Sequence, residues 1–329
     1  MTQSVLVVGG AGYIGSVTVE HLVAAGHSVV VLDNLSRGHR HAVVDGAELV
    51  VGDLCDNKML ETLLATRRFE AVMHFSASSI VGESVQAPLD YYQNNIANGA
   101  NLLQAMRANG VQNIVFSSTA AIFGDAAKQP ICEDDLKAPA NPYGRTKLVF
   151  EHLLDECEAA YGLRSVCLRY FNAAGATENC GEDHRPETHL IPLILQAARG
   201  MGEAITIFGD NYPTRDGTCV RDYVHVSDLA GAHILALRHL LEGGRSEKFN
   251  LGNGQGFTVR EVIAAAERVA GKSVPYRTGA RRTGDPNMLV ASSEKIRREL
   301  GWQPKYPQLN DIIESAWNWM QKNPDGYRG

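Results

Sequence analysis

The sequence predicts an α/β fold in which a doubly wound parallel sheet carries a smaller, interleaved C-terminal α/β lobe. Three observations predict it. Short apolar runs alternate with longer helix-like segments through the first half of the chain, as repeated strand–helix–strand units require. The first apolar run opens directly onto a glycine-rich turn and a helical pattern. After Asn172 the texture changes to long polar stretches rich in Gly, Asn, Glu and Asp, separated by further helical patterns.

Taken in order, strands are expected at residues 4–8, 27–32, 48–51, 71–75, 113–117 and 165–170. Unbroken β-branched runs such as Val29-Val30-Val31-Leu32 suit strands buried on both faces. Helices are expected at residues 13–25, 88–109 and 143–161 between them. Residues 173–187 and 209–218 read as loops, 226–241 as a helix and 248–251 as a strand, and residues 258–329 alternate helical patterns with loops. With no clean linker, the lobes divide softly. Residues 1–173 with about 220–251 form the first, and about 174–219 with 252–329 form the second.

Composition limits the function classes. The chain has 329 residues, 21% charged and 44% hydrophobic, with a net charge of -6, which is an ordinary globular profile without the basic excess of nucleic-acid binders. Six cysteines occur without a C-x-x-C pair and read as free thiols of a reducing compartment. The N-terminal apolar run stops at Gly9-Gly10 after no basic segment, and no apolar stretch reaches membrane-spanning length, so a cytoplasmic protein is expected. Eleven histidines are scattered with no His-Glu-x-x-His grouping, so no metal site is expected.

The chemistry is concentrated in two motifs. Val5-Leu6-Val7-Val8 runs into Gly9-Gly10-Ala11-Gly12-Tyr13-Ile14-Gly15, a Gly-x-x-Gly-x-x-Gly spacing at a strand-to-helix turn. Glycines there permit the turn, let backbone approach a pyrophosphate and pack helix against strand, while the helix N-terminus presents N–H groups to the phosphates. Asp33 ends the next strand, where a carboxylate accepts ribose hydroxyls and repels a 2′-phosphate. The reading is a Rossmann-like fold that binds NAD, although Arg37 nearby could favour the phosphorylated cofactor. Asp53, after the third strand, could contact the adenine. The second motif is Tyr143-Gly144-Arg145-Thr146-Lys147. Tyr and Lys four apart share a helix face, and Asn141-Pro142 marks that helix's start. An ammonium beside the phenol is expected to lower its pKa and make it a base for a sugar hydroxyl. Ser117-Ser118-Thr119 ends a strand at the sheet's ligand-binding edge, where a hydroxyl could relay a proton.

These residues together resemble the extended short-chain dehydrogenase/reductase family, and more narrowly the UDP-galactose 4-epimerases. Segments 9–15, 81–84, 91–95, 141–147, 169–172, 207–214, 217–228 and 281–285 carry the likeness and span nearly the whole chain. The resemblance implies a cytoplasmic, NAD-dependent inversion of C4 of a UDP-hexose through a 4-keto intermediate. Tyr143 is then the base, Lys147 its partner on the ribose, and Thr119 the group on the 4-hydroxyl. The implied cofactor site is Gly9, Gly12, Tyr13, Ile14, Gly15, Asp33, Asn34, Asp53, Leu54, Phe75, Ser76, Ala77, Asn95, Ser117, Tyr143, Lys147 and Tyr170. Asn95 is implied near the phosphates and Tyr170 beside the nicotinamide. The implied UDP-sugar site is Thr119, Tyr143, Phe171, Asn172, His189, Leu190, Phe208, Arg221, Arg282, Asp285 and Leu289. Arginine forks suit diphosphate oxygens, which fits Arg221 and Arg282 to that role. In the family, Leu289 falls where residue size governs access of N-acetylated sugars. A homodimer pairing through residues 91–109 and 143–161 is implied as well. The sequence departs from the family where Val8 replaces a threonine, Ser79 a common lysine, and His189 a common asparagine.

Competing readings divide on particular residues. Related 4,6-dehydratases carry Asp-Glu after the strand-end threonine, whereas Ala120-Ala121 stand here and cannot move a proton. A sister epimerase acting on UDP-N-acetylhexosamines, UDP-pentoses or UDP-glucuronate shares every motif. A non-catalytic dinucleotide sensor typically lacks the Tyr/Lys pair that this chain keeps.

Overall fold

The structure is a computed structural model that describes residues 2–282 and 286–327. Seven parallel strands form the central sheet: β1 (Ser4–Val8), β2 (Ser28–Asp33), β3 (Ala47–Val51), β4 (Ala71–His74), β5 (Asn113–Thr119), β6 (Arg164–Tyr170) and β7 (Glu247–Leu251). They are ordered β7-β6-β5-β4-β1-β2-β3. The order reverses at β1, which pairs with both β2 and β4. Chain connections leave to opposite sides there, so a crevice opens beyond the C-terminal ends of β1 and β4, the usual ligand position in such sheets.

The principal helices are α1 (Tyr13–Ala24), α2 (Asn57–Thr66), α3 (Asn98–Ala108), α4 (Pro142–Tyr161), α5 (Leu190–Ala198), α6 (Val226–Leu241), α7 (Val259–Ala270) and α8 (Leu309–Lys322). Of these, α1 and α6 cover one face of the sheet, and α2, α3 and α4 cover the other. Alternation along β1 explains the continuous apolar run. Val5 and Val7 join the core beneath α1 and α6, while Leu6 and Val8 join the core beneath α2, α3 and α4. Each such fully buried Val or Leu contributes about 1.5–3 kcal/mol relative to exposure. A third core joins Ile191, Ile194 and Leu195 of α5 to Val262 and Ile263 of α7 and Ile312 and Ile313 of α8.

Local signals set the ends of several elements. Asp56 accepts the Met59 N–H at 3.0 Å and starts α2, as its side chain suits it to do. Asn141 accepts the Gly144 N–H at 2.8 Å at the start of α4. Gly162, at φ +70°, closes α4 with its N–H on the Glu158 carbonyl at 2.9 Å.

Three elements differ from the sequence expectation. Strand β5 runs on to Thr119, which pairs with Tyr170. The helix expected over 88–109 is broken into Pro88–Tyr92, a π-helical turn at Gln93–Ala97, and α3. Such turns insert one extra residue into a helix and often mark functional sites. Asn172–Ala174, expected to be mostly loop, forms a short strand parallel to Tyr223–His225. Three residues are too few for a period to show. No helix among the described residues is long and apolar enough to cross a membrane.

Candidate active site

The glycine turn caps the end of β1. A Cβ on Gly9, at φ +80°, would lie 2.5 Å from the Ser76 nitrogen, and one on Gly15 would lie 2.2 Å from the Gly9 carbonyl oxygen. Packing therefore demands both glycines. Gly12 differs, because a Cβ there meets only the Gly9 carbonyl oxygen, at 3.5 Å. Its surroundings are open at the N-terminus of α1, where no side chain caps the helix. That arrangement fits a dinucleotide pyrophosphate: backbone donors, the positive helix end and no side chain in the way.

Asp33 sits at the end of β2 with its carboxylate accepting from the Ala11 N–H at 3.0 Å and the Leu35 N–H at 2.8 Å. Burial pushes this carboxyl up, and the two N–H groups oppose the shift. A cleft beside it is lined by Val8, Leu32, Asp33, Asn34, Gly52, Asp53, Leu54, Ser76 and Asn94. Asn34 donates to Asp53 across it at 2.6 Å. The expected residues Asp33, Asn34, Asp53, Leu54 and Ser76 thus line one cleft, together with Asn94, which sequence reasoning missed. Arg37 turns away from Asp33 to Glu83 and to the Arg185 carbonyl. Phe75 and Ser76 both donate to the Val8 carbonyl, at 2.8 and 3.1 Å, and lead the loop of Phe75, Ser76 and Ala77 from β4 over the crevice.

Asn95 braces this loop. Its Oδ1 accepts the Ser78 N–H at 2.8 Å, and its Nδ2 donates to the Ser78 carbonyl and the Thr146 hydroxyl, both at 3.0 Å. Thr146 belongs to α4, so the π-helical turn ties the loop after β4 to the helix that carries Tyr143 and Lys147. Of the other cofactor candidates, Tyr13 donates its hydroxyl to the Gly175 carbonyl at 2.5 Å, and Ile14 packs into the core beside it.

Tyr143 lies in the first turn of α4. Gly144 follows it, and a Cβ there would lie 2.5 Å from the Ala121 carbonyl oxygen. This close approach seats the helix start on the turn after β5 and brings the phenol to Thr119, whose side chain hydrogen-bonds it. One turn on, Lys147 is buried and donates to the Ser117 carbonyl at 2.8 Å, 4.7 Å from the Phe116 ring centre. Burial pulls its ammonium down to about 7, against the opposing pull of Glu151. The hydroxyls of Ser117 and Tyr170 form a short hydrogen bond.

The expected electrostatics of the pair is corrected here. Burial pushes the Tyr143 phenol up, the Thr119 hydrogen bond opposes it, and Lys147 is not among the groups that act on it. One donor of the ammonium goes instead to the Ser117 carbonyl. Sequence reasoning also missed the support beneath. Glu151, one turn beyond Lys147, accepts from the Ser118 hydroxyl at 2.5 Å and from Arg169 at 2.6 and 3.0 Å, wholly buried.

The substrate candidates are distributed around this centre. Phe171 and Leu289 pack with Ile122, Phe123 and Ile131 directly after Thr119. Leu289 pairs with Arg221 in a short parallel ladder. The buried Asp222 carboxylate staples that ladder by accepting the N–H groups of Asn253, Gly254 and Ala291 at 2.7, 2.9 and 3.0 Å. Asn172 donates its N–H to the Asp222 carbonyl at 2.9 Å. Arg221 donates to the Val220 carbonyl at 2.8 Å, and the exposed Arg282 guanidinium lies 3.8 Å over the Phe208 ring. Asp285 lies outside the described residues. His189 and Leu190 begin α5, but the His189 Nδ1 is turned onto Glu182.

That contact belongs to a grouping the spacing did not suggest. Glu182, His184, Glu187 and His189 converge in the loop before α5, whereas the histidines had read as scattered. The signal available was five ligand-type residues within the run Glu182-Asp183-His184-Arg185-Pro186-Glu187-Thr188-His189, of which all but Asp183 converge. The spacing follows no helix period, because a loop folds it.

Comparisons with known proteins agree along the chain. The model of the NAD dependent epimerase/dehydratase family matches residues 5–252. The UDP-glucose 4-epimerase of Halalkalibacterium halodurans is 52% identical over 327 residues, covering 99% of this chain and 98% of that protein. A crystal structure of a UDP-glucose 4-epimerase superposes with a TM-score of 0.97 at 50% identity, covering 99% of this chain and 100% of the other. The UDP-glucose 4-epimerase from Brucella ovis in complex with NAD superposes with a TM-score of 0.94 at 47% identity, covering 96% and 98%.

Proposed function

Since the chain belongs to the NAD dependent epimerase/dehydratase family, we propose that it interconverts UDP-glucose and UDP-galactose by inverting C4 through a 4-keto sugar. The observation that carries this is the Thr119–Tyr143–Lys147 group at the end of β5, beside the open glycine turn at the end of β1. Ala120 and Ala121 follow Thr119, so no acid stands ready to expel water.

Bound NAD supplies the hydride acceptor and donor for C4, together with a cationic ring. Tyr143 takes the proton of the 4-hydroxyl, and Thr119, hydrogen-bonded to the phenol, holds that hydroxyl in line. Lys147 is fixed by the Ser117 carbonyl and offers its remaining donors to the ribose. The Asp33 carboxylate receives ribose hydroxyls at the far end. The 4-keto sugar turns over within the pocket, and Tyr143 returns the proton when the opposite face is reduced. Arg221 and Arg282 bind the diphosphate, with Phe171, Asn172, His189, Leu190 and Phe208 around the UDP. Incubating the purified chain with UDP-galactose should give UDP-glucose by NMR, and denaturation should release NAD absorbance. Product absent while NAD is present would overturn the substrate assignment.

Leu289 sets the substrate range. It packs, as Phe171 does, against Ile122, Phe123 and Ile131, and in this reading it faces the path of the sugar's 2-substituent. A leucine should let N-acetylated sugars through slowly, about tenfold to a hundredfold below UDP-galactose, because overpacking costs roughly 1–3 kcal/mol. Leu289→Tyr should remove the N-acetyl activity and spare UDP-galactose. Equal loss of both would make Leu289 a packing residue only.

We propose also that the protein is a cytoplasmic homodimer. Val85 and Leu89 are 63% and 81% exposed, and Tyr92 and, on α4, Val149 are exposed as well. The helix Pro88–Tyr92 packs on α4, so these side chains form an apolar surface that a second copy would cover. Leu89→Glu should shift the protein to a monomer in light scattering, and an unchanged mass would reject this face.

A further inference from the structure

The loop before α5 brings together four side chains, of which only His189 has been placed near the UDP and none at the reacting C4. The donor atoms of Glu182, His184, Glu187 and His189 all lie within 4.8 Å of one another. One Glu182 oxygen faces both imidazoles, with His184 Nδ1 at 3.1 Å and His189 Nδ1 in short contact. Glu187 lies 3.9 Å from each. Both carboxylates are only 7% exposed. Bonds of about 2.0–2.2 Å to a tetrahedral zinc ion place ligand atoms roughly 3.4 Å apart, close to the spacing already present.

We propose that Glu182, His184, Glu187 and His189 bind one divalent transition-metal ion of the zinc class. Imidazole nitrogen with carboxylate oxygen suits such ions, and four protein ligands make a closed, structural site rather than an open catalytic one. Two carboxylates balance the charge of a divalent ion when both imidazoles bind as neutral ligands.

The position gives the ion a structural consequence. The His184 ring meets Tyr13 edge-on, at 6.2 Å and 86°. Tyr13 opens α1 at the glycine turn, and its hydroxyl is tied to Gly175. His189 precedes the first residue of α5. An ion here would lock the cofactor turn to the helix that begins the third core. His189 would bind through Nδ1, leaving its Nε2 directed elsewhere. The inference stands whether or not the sugar specificity above is correct.

The test uses the untagged full chain with its bound cofactor, stripped with EDTA, given equimolar zinc or cobalt(II) and dialysed. Mass spectrometry of the metal should find about one ion per chain, and the cobalt form should show the intense visible bands of a tetrahedral site. His184→Ala and Glu187→Gln should lower zinc affinity at least about tenfold with an unchanged circular dichroism spectrum. No retained zinc in the parent chain, a weak octahedral cobalt spectrum, or undiminished binding in folded variants would each overturn the proposal. Should a variant fail to fold, the parent cobalt spectrum decides alone.

Discussion

Tyr143→Phe should lower epimerisation about 10²–10⁴-fold while leaving UDP binding intact, the usual cost of losing a general base. The substitution removes one oxygen and keeps the ring, so the packing of α4 on the turn after β5 survives. Thr119 loses its partner but still accepts the Ala121 N–H at 3.2 Å and is not left unpaired. What disappears is the acceptor for the 4-hydroxyl proton. Because burial pushes the phenol up, it stays protonated at neutral pH without cofactor. Ionisation then awaits a positive charge beside it, and neither Ser117 nor Tyr170, already bonded to each other, can substitute. Turnover within a few-fold of the parent, with UDP affinity preserved in calorimetry, would remove Tyr143 from the reaction.

Glu151→Ala should destabilise the fold by about 3–5 kcal/mol, the range for breaking a buried ion pair by deleting one partner. Arg169 is 3% exposed and would be left with the Glu133 carbonyl, at 3.1 Å, and the Phe123 ring, at 5.6 Å. The Ser118 hydroxyl would lose its acceptor next to Thr119. An effect on Lys147 should follow. Glu151 holds the ammonium up against burial, so its removal should depress the pKa of Lys147 further below about 7 and reduce its charge at neutral pH. Denaturant unfolding measures the first effect and NAD titration the second. A stability change under about 1 kcal/mol would mean that water reaches the pair and screens it. Glu151→Gln, which keeps acceptor and shape, should fall between the two.

The sequence by itself determined the features that neighbouring residues create. The strand, glycine turn and helix of residues 4–24, the acid ending β2 and the Tyr143–Lys147 spacing are local. Steric limits on glycine, the two-residue and 3.6-residue periods and the cap at Asn141 act within a few positions. The missing acid after Thr119 is equally local, and it separates epimerisation from dehydration on one line of sequence. Tertiary structure decided whatever depends on burial and on contacts between distant segments. The Arg169–Glu151 pair spans 18 positions and Asn95–Thr146 spans 51. The π-helical turn that presents Asn95 leaves no mark on a helical apolar pattern. Lys147 met a carbonyl rather than the phenol because β5 runs on to Thr119 and places Ser117 beneath α4. The Tyr143 phenol moved up rather than down because desolvation outweighs a charge directed elsewhere. Residues 182–189 were visible as ligand types, but only the folded loop, packed against Tyr13, places their donor atoms around one point.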